Sequence, residues 1–225
     1  KYLLTRDQQA RLLAAAGEDL RPDVYSHSSI RNLYLDTPDF RLIRRSLEKP
    51  VYKEKLRLRS YGRTERDSPV FMELKKKYRS IVYKRRLTLP YDRALDCLTG
   101  ACPWPETQIG GEIRYTVDFY PDLESRVFLA YERDSWLAPE SGLRITFDDA
   151  IRFRTEELTL DSDPWGTALL GPDQVLMELK APGAIPLWMV RLLTEMRLYK
   201  TSFSKYGTAY QLLLEREWKG GKRYA

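Results

Sequence analysis

Within the segment VYKEKLRLRS (51–60), Lys53, Lys55, Arg57 and Arg59 alternate with Tyr52, Glu54, Leu56 and Leu58. Successive side chains of a β-strand point to opposite faces. As a strand, this segment has one cationic face and one mostly apolar face. The same alternation returns along the chain. One register of FMELKKKY collects Phe71, Glu73, Lys75 and Lys77. One register of IVYKRRLTL collects Val82, Lys84, Arg86 and Thr88. Later, LRITFDD sets Arg144, Thr146 and Asp148 against Leu143, Ile145 and Phe147. AIRFRT sets Arg152 and Arg154 against Ile151 and Phe153, and LMELK sets Glu178 and Lys180 against Met177 and Leu179. AYERDSW adds Tyr131 and Arg133 in one register.

For any one of these strands, a half-exposed antiparallel sheet with a solvated outer face is the simplest account. The set argues differently. Solvated faces mix signs, whereas Lys and Arg dominate here. Like charges on neighbouring strands repel by roughly 0.2–1 kcal/mol per pair, a cost that an anion lying between them would remove. A closed antiparallel barrel would turn the cationic face into an interior wall for a polyanion, with helices covering the apolar face. Arg serves such a wall through planar bidentate donors, Lys through compact charge.

The remaining segments fit this plan. TRDQQARLLAAAG reads as an amphipathic helix with Thr5 as its cap, Gln8 completing a capping box and Gly17 at its end. Further strands are expected over 29–37, 126–136, 142–149, 150–155 and 174–181, and helices over 186–198 and 202–217, while 106–120 is ambiguous by periodicity. The expected fold is α+β: a closed antiparallel β-barrel tunnel of about eight strands with helices packed outside. It is read as one domain over 1–217 followed by a basic tail over 218–225.

Charge sharpens the expectation. The formal net charge is +6, but residues 41–90 carry 17 Lys and Arg against 5 Asp and Glu, a local excess of +12. The basic charge is therefore regional and suggests an anionic partner. KKKYR (75–79) could suggest nucleic acid, but its strand context favours the tunnel, and no nucleic-acid partner is expected. His27 is the single histidine, which disfavours His-based triads and His-rich metal clusters. Cys97 and Cys102 make neither a disulfide framework nor a zinc site and are expected to be inert. No run of 18 apolar residues provides a membrane span. A reduced cytoplasmic setting is expected.

The motifs YLDTPDFRLIRRSLEKPVYKEKLRLRSYG, MELKKKY, VYKRRLTL, AYERDSW, LRITFDD, LMELK and TSFSKYG occur in this order. Together they resemble the VTC domain, the polyphosphate polymerase domain of the vacuolar transporter chaperone complex and its bacterial stand-alone relatives. That domain lies within the CYTH-like triphosphate tunnel metalloenzymes, and the resemblance runs from Lys1 to about Glu215. It implies transfer of the γ-phosphate of ATP onto inorganic polyphosphate, with Mn2+ or Mg2+. It implies that Arg57, Arg59, Lys75 and Lys84 bind nucleotide phosphates, with Arg86 beside them, and that Arg133 and Arg144 grip the chain. Lys205 matches a tunnel lysine, Lys1 a first-strand lysine and Glu178 a metal-binding glutamate. Lys55 and Lys180 join the phosphate ligands by register. Glu73 is either a second metal contact or a salt-bridge partner of Lys75 or an arginine. Asp148 could pair with Arg144, and Asp36 could serve an Asx turn rather than a ligand set. Only KY stands where tunnel triphosphatases open on a glutamate-rich strand, so residues upstream of Lys1 are expected to belong to that strand; the tunnel carboxylates within this sequence are few, which makes metal-dependent hydrolysis the less secure expectation. A triphosphatase and a non-catalytic polyphosphate-binding module are the alternatives, and any membrane or regulatory partner is left open.

Overall fold

A computed structural model describes residues 1–219. Nine strands form one sheet: β1 (Tyr2–Thr5), β2 (Arg21–Asp36), β3 (Tyr52–Tyr61), β4 (Pro69–Tyr78), β5 (Ile81–Pro90), β6 (Glu124–Ala138), β7 (Leu143–Arg154), β8 (Thr167–Ala168) and β9 (Gln174–Lys180). Six α-helices accompany them: α1 (Arg6–Ala16), α2 (Arg41–Leu47), α3 (Tyr91–Thr99), α4 (Gln108–Phe119), α5 (Leu187–Glu195) and α6 (Lys205–Lys219). The fold class is thus α+β. The strand order is β1-β9-β7-β6-β2-β3-β4-β5, with β8 on β7. The expected closure is not made by hydrogen bonds along this path, because its end strands, β1 and β5, are not paired with each other.

The chain divides into two compact units whose boundaries fall inside β2, β6, β7 and β8 and just before α6. One comprises Lys1–Ser29, Tyr131–Arg152 and Ala168–Ser204. Here α1 begins as the sequence foretells: the Thr5 hydroxyl accepts from Gln8 N–H, and the Gln8 side chain accepts from Thr5 N–H. Leu12 and Ala16 of α1 and Met189 and Leu193 of α5 pack on Leu4, Leu143, Ile145, Phe147, Val175 and Met177. The apolar face of this part of the sheet is therefore covered by helices.

The other unit comprises Ile30–Ala130, Phe153–Thr167 and the chain from Lys205. Leu56, Leu58, Met72 and Leu74 project from β3 and β4 into a core closed by Ala94 and Cys97 of α3 and Ile113 of α4. Cys97 and Cys102 are both free thiols. The N-cap residue of the seven-residue α2, Phe40, is left-handed at φ 57° and has no polar side chain to offer. The Thr37 hydroxyl accepts from Arg41 N–H instead, and Asp36 does the rest. Its carboxylate accepts from the backbone N–H groups of Thr37, Leu42 and Ile43 and from the Tyr206 hydroxyl. The Asx-type contact to Thr37 is thus one of four.

Beyond helices α2 and α3, which the periodicity did not mark, two stretches differ from expectation for local reasons. Residues 142–149 and 150–155 form one strand, β7, because Ala150 adopts φ 46° and bends the strand without ending it. The ambiguous stretch 106–120 is helix α4, whose Thr107 cap accepts from Gly110 N–H. The last helix reaches Lys219, two residues into the expected tail, and the rest of that tail lies outside the described residues.

Candidate functional site

In the unit holding β3, β4 and β5, strand register converts the alternation into rows. Tyr34, Arg57, Glu73 and Arg86 lie directly across four strands, from β2 to β5. Lys55, Lys75 and Lys84 form the next row across β3, β4 and β5. Glu73, only 2% exposed, is the centre of the first row. Its Oε2 accepts from Arg57 Nε at 2.8 Å and Nη2 at 2.6 Å. Its Oε1 accepts from Arg86 Nε at 2.8 Å and lies 2.8 Å from Lys84 Nζ. Arg59 Nε stands 3.7 Å from Oε2 and donates to Asn32 Oδ1 at 3.0 Å.

One carboxylate thus gathers four cations. Burial alone would raise the Glu73 pKa, but Arg57 and Arg59, with Lys84, override it and hold the carboxyl well below its usual range. Burial would likewise raise the Tyr34 phenol. Arg57, Lys55 and Arg59 outweigh that and bring it to about 8. Arg57 Nη1 donates to the Tyr34 hydroxyl at 2.9 Å, and Tyr34 stacks on Tyr206 at 4.3 Å between ring centroids. The cluster keeps three positive charges beyond its single carboxylate, so it remains a strong anion attractor. Lys205 belongs to the same unit and opens α6, one residue before Tyr206.

The unit holding β1, β7 and β9 carries the other candidate residues. There Arg144 faces Lys180 and Thr146 faces Glu178 across β7 and β9. Arg133 grips the fully buried Asp148 with two hydrogen bonds, Nε to Oδ1 at 2.6 Å and Nη2 to Oδ2 at 2.8 Å. Although burial works against the charge of Arg133, Asp148 raises its pKa above the ordinary arginine value. Asp148 therefore pairs with Arg133 and not with Arg144, whose Nη2 reaches Asp23 Oδ2 at 2.6 Å. The reason is strand length: the 16-residue β2 starts at Arg21, eight residues before the expected strand, and brings Asp23 with it.

Glu178 is less saturated than Glu73. Lys1 Nζ and Lys180 Nζ stand 4.0 and 3.9 Å from its two oxygens, at the outer limit of ion pairing, and its side chain is 28% exposed. Across the strand, the Thr146 hydroxyl is buried without a hydrogen-bond partner. A carboxylate open to solvent beside an orphaned hydroxyl fits Mg2+ or Mn2+, which take one or two carboxylates and complete their shells with water and phosphate oxygens. Glu73 does not suit the same task, because both its oxygens already serve cations. Among the described residues, no group of three His, Cys, Asp or Glu forms a metal cluster.

Tyr34, Asn32 and Thr146 thus join the candidate residues. Their signal in the sequence is only register: Asn32 and Tyr34 alternate within RNLYL, and Thr146 lies between Arg144 and Asp148.

Comparison with solved structures places this fold among known ones. A candidate adenylate cyclase of Bacillus halodurans superposes with a TM-score of 0.55 at 15% identity, over 90% of each chain. A candidate adenylyl cyclase of Hippeastrum, described as having a dominant triphosphatase activity, superposes with a TM-score of 0.50 at 13% identity, over 99% of this chain and 94% of its own. At these identities the likeness is one of fold. No curated protein matches the sequence. The family model of the VTC domain matches residues 1–214, and the chain belongs to the VTC domain family.

Proposed function

We propose that this protein is an ATP-dependent polyphosphate polymerase. The terminal oxygen of a polyphosphate chain attacks the γ-phosphorus of ATP, a new P–O–P bond forms, and the bond to the departing ADP breaks. The observation that carries the reading is the cation excess around Glu73, in a chain of the VTC family. Phosphoryl transfer asks for positioning and charge neutralisation more than for covalent help.

Arg57, Arg59, Lys84 and Arg86 are held in one place by Glu73 and present fixed positive charge to phosphate oxygens. Lys55 and Lys75 extend that wall, and Lys205, Lys1, Lys180, Arg133 and Arg144 are assigned to the phosphate chain. Tyr34 holds Arg57 in the plane of the row. Glu178, with Thr146 beside it, would hold a divalent ion, which offsets charge developing on the transferred group when bound. The closed tunnel and a single domain over 1–217 belong to this proposal.

A triphosphatase is the second reading, supported by the activity described for the Hippeastrum neighbour. In that case water would replace the polyphosphate end as the nucleophile. The match of residues 1–214 to the VTC domain favours the first reading. ³¹P NMR of the protein with ATP and Mn2+ or Mg2+, quenched with chelator, separates the two. A growing mid-chain polyphosphate signal together with ADP is the expected result. Orthophosphate with ADP would install the hydrolase, and an unchanged spectrum with and without a short polyphosphate primer would overturn both. Arg57→Ala and Lys84→Ala are expected to abolish turnover while leaving the circular dichroism spectrum unchanged.

A further inference from the structure

The end of α3 brings the two cysteines of the chain together, among residues that phosphate transfer does not use. Gly100, left-handed at φ 77°, turns the chain back on the helix, a conformation that glycine takes without a Cβ penalty. Gly100 N–H donates to Cys97 O at 3.4 Å and Ala101 N–H to Asp96 O at 2.8 Å, the paired bonds of a Schellman end. The turn carries Cys102 back over the last helical turn, where its Sγ stands 3.1 Å from Cys97 Sγ. Cys97 is 2% exposed and packs in the core with Leu56, Leu58, Met72 and Leu74. Cys102 is only half-buried. Each thiol also points to a carbonyl oxygen at 3.7 Å, Cys97 to that of Pro103 and Cys102 to that of Arg93.

Core packing accounts for Cys97, because a buried thiol behaves as a small hydrophobe. It does not account for a second, partly exposed sulfur at contact distance. Among the described residues, no third Cys, His, Asp or Glu joins the pair to hold a metal. A disulfide sets its sulfurs about 2.05 Å apart, so the two have to close by only about 1 Å. From this juxtaposition we infer that Cys97 and Cys102 are a reversible dithiol–disulfide site, oxidised by a low-molecular-weight disulfide of the glutathione type. The Cys102 thiolate attacks one sulfur of that disulfide, its S–S bond breaks, and one glutathione leaves as the thiolate. Cys97 sulfur then attacks Cys102 sulfur in the mixed disulfide, gives up its proton to the departing thiolate, and releases the second glutathione. Two protein thiols are oxidised and one disulfide is reduced. The order follows from access and charge: burial, with Cys102 beside it, pushes the Cys97 thiol up to about 11, so it is protonated at neutral pH and reacts second. Cys97 lies behind Leu56 and Leu58, on the face of β3 opposite Arg57 and Arg59, so the inference stands apart from the phosphotransfer reading.

The test is mass spectrometry of the whole protein, reduced, freed of reductant, incubated with excess glutathione disulfide and then alkylated under denaturing conditions. Trypsin leaves both cysteines on one peptide, residues 94–114. The expected product is that peptide short of two hydrogens, carrying neither glutathione nor an alkyl group, and dithiothreitol should restore both alkylation sites. Cys97→Ser should stop at the mixed disulfide on Cys102. Cys102→Ser should slow the loss of the Cys97 thiol about tenfold or more, because no exposed sulfur is left to start the exchange. Should Cys97→Ser disturb the core, the wild-type product and the exposed Cys102→Ser change still decide the matter. Persistence of both thiols in wild type, a stable glutathione adduct, disulfide-linked dimers, or equal loss of the Cys97 thiol with and without Cys102 would overturn the proposal. The readout is a bond and not an activity, so it holds whichever phosphate reaction the protein performs.

Discussion

Glu73 is held by attraction from every side, which makes it both a keystone and a weak point. The carboxylate holds Arg57, Arg59, Lys84 and Arg86 within one cluster, and replacing it with an amide would leave those cations repelling one another. Glu73→Gln should destabilise the protein by less than the roughly 3–5 kcal/mol of breaking a fully buried pair, because Lys84 and Arg86 have side chains 47% and 38% exposed. Added tripolyphosphate should restore more stability to this variant than it adds to wild type, since the anion then takes over the missing charge. The pH dependence follows from the depressed pKa. An unfolded Glu73 takes up its proton near 4.5, while the folded one resists protonation to lower pH. Its contribution is complete above that value and is lost as pH falls from about 4.5 towards the depressed native pKa. Urea denaturation between pH 7 and 3 should show this loss in wild type and a shallower profile in Glu73→Gln. The alternation in the sequence placed Arg57, Glu73 and Arg86 on like faces of three strands. It could not place them in one row, because row membership depends on strand register, a non-local property. That is why the sequence alone allows Glu73 either role, metal contact or salt-bridge partner, whereas the fold sets four cations around it.

Elements were legible where local chemistry and periodicity agree. Helix α1 has cap, capping box and terminal glycine all written within thirteen residues, and strands β3 to β5 announce themselves by strict alternation. Helix α4 was not legible, because Ile109, Ile113, Thr116 and Val117 also suit a strand and two adjacent glycines dilute the helical signal. Gly110 has a tertiary reason: a Cβ there would lie 2.2 Å from the Pro105 carbonyl oxygen. Helix α2 was missed for another reason. It is short, and its support comes from Asp36 at the end of β2, from the Thr37 hydroxyl and from α6, not from its N-cap residue. Asp36→Ala would strand three backbone N–H groups and the Tyr206 hydroxyl, all of which now donate to one carboxylate. At roughly 1–3 kcal/mol for each buried donor left unmade, and with water reaching some of them, a loss of at least about 3 kcal/mol is expected. Denaturant titration measures it. Amide exchange should show the first turn of α2 losing protection before β3 does. If exchange quickened evenly across the chain, Asp36 would matter for global stability alone and not as the support of α2.

At the scale of the whole molecule, charge is the organising quantity. A formal net charge of +6 hides +12 within residues 41–90 and a negative balance elsewhere. Much of that positive charge faces its own kind: Lys55, Lys75 and Lys84 lie directly across three strands, and Lys84 is also one of the four cations that share Glu73. Folding therefore assembles a repulsion that an unfolded chain does not feel, and an anion that binds only the folded state relieves it. Tripolyphosphate should then raise the melting temperature, by an amount corresponding to about 2.7 kcal/mol when its concentration is a hundred times its dissociation constant. Screening acts within a Debye length of about 8–10 Å at physiological salt, so the shift should shrink steadily as sodium chloride rises. Two controls give the result its meaning. Lys84→Ala removes one wall charge and should reduce the shift, whereas Arg11→Ala, on an exposed i,i+4 pair with Asp7 in α1, should leave it unchanged. Sulfate at equal ionic strength should give a smaller shift, because it cannot span successive rows of cations. Equal shifts with sulfate and tripolyphosphate would mean that the wall attracts charge without reading a chain of phosphates. The polymerase reading would then lose the selectivity for a phosphate chain on which it depends.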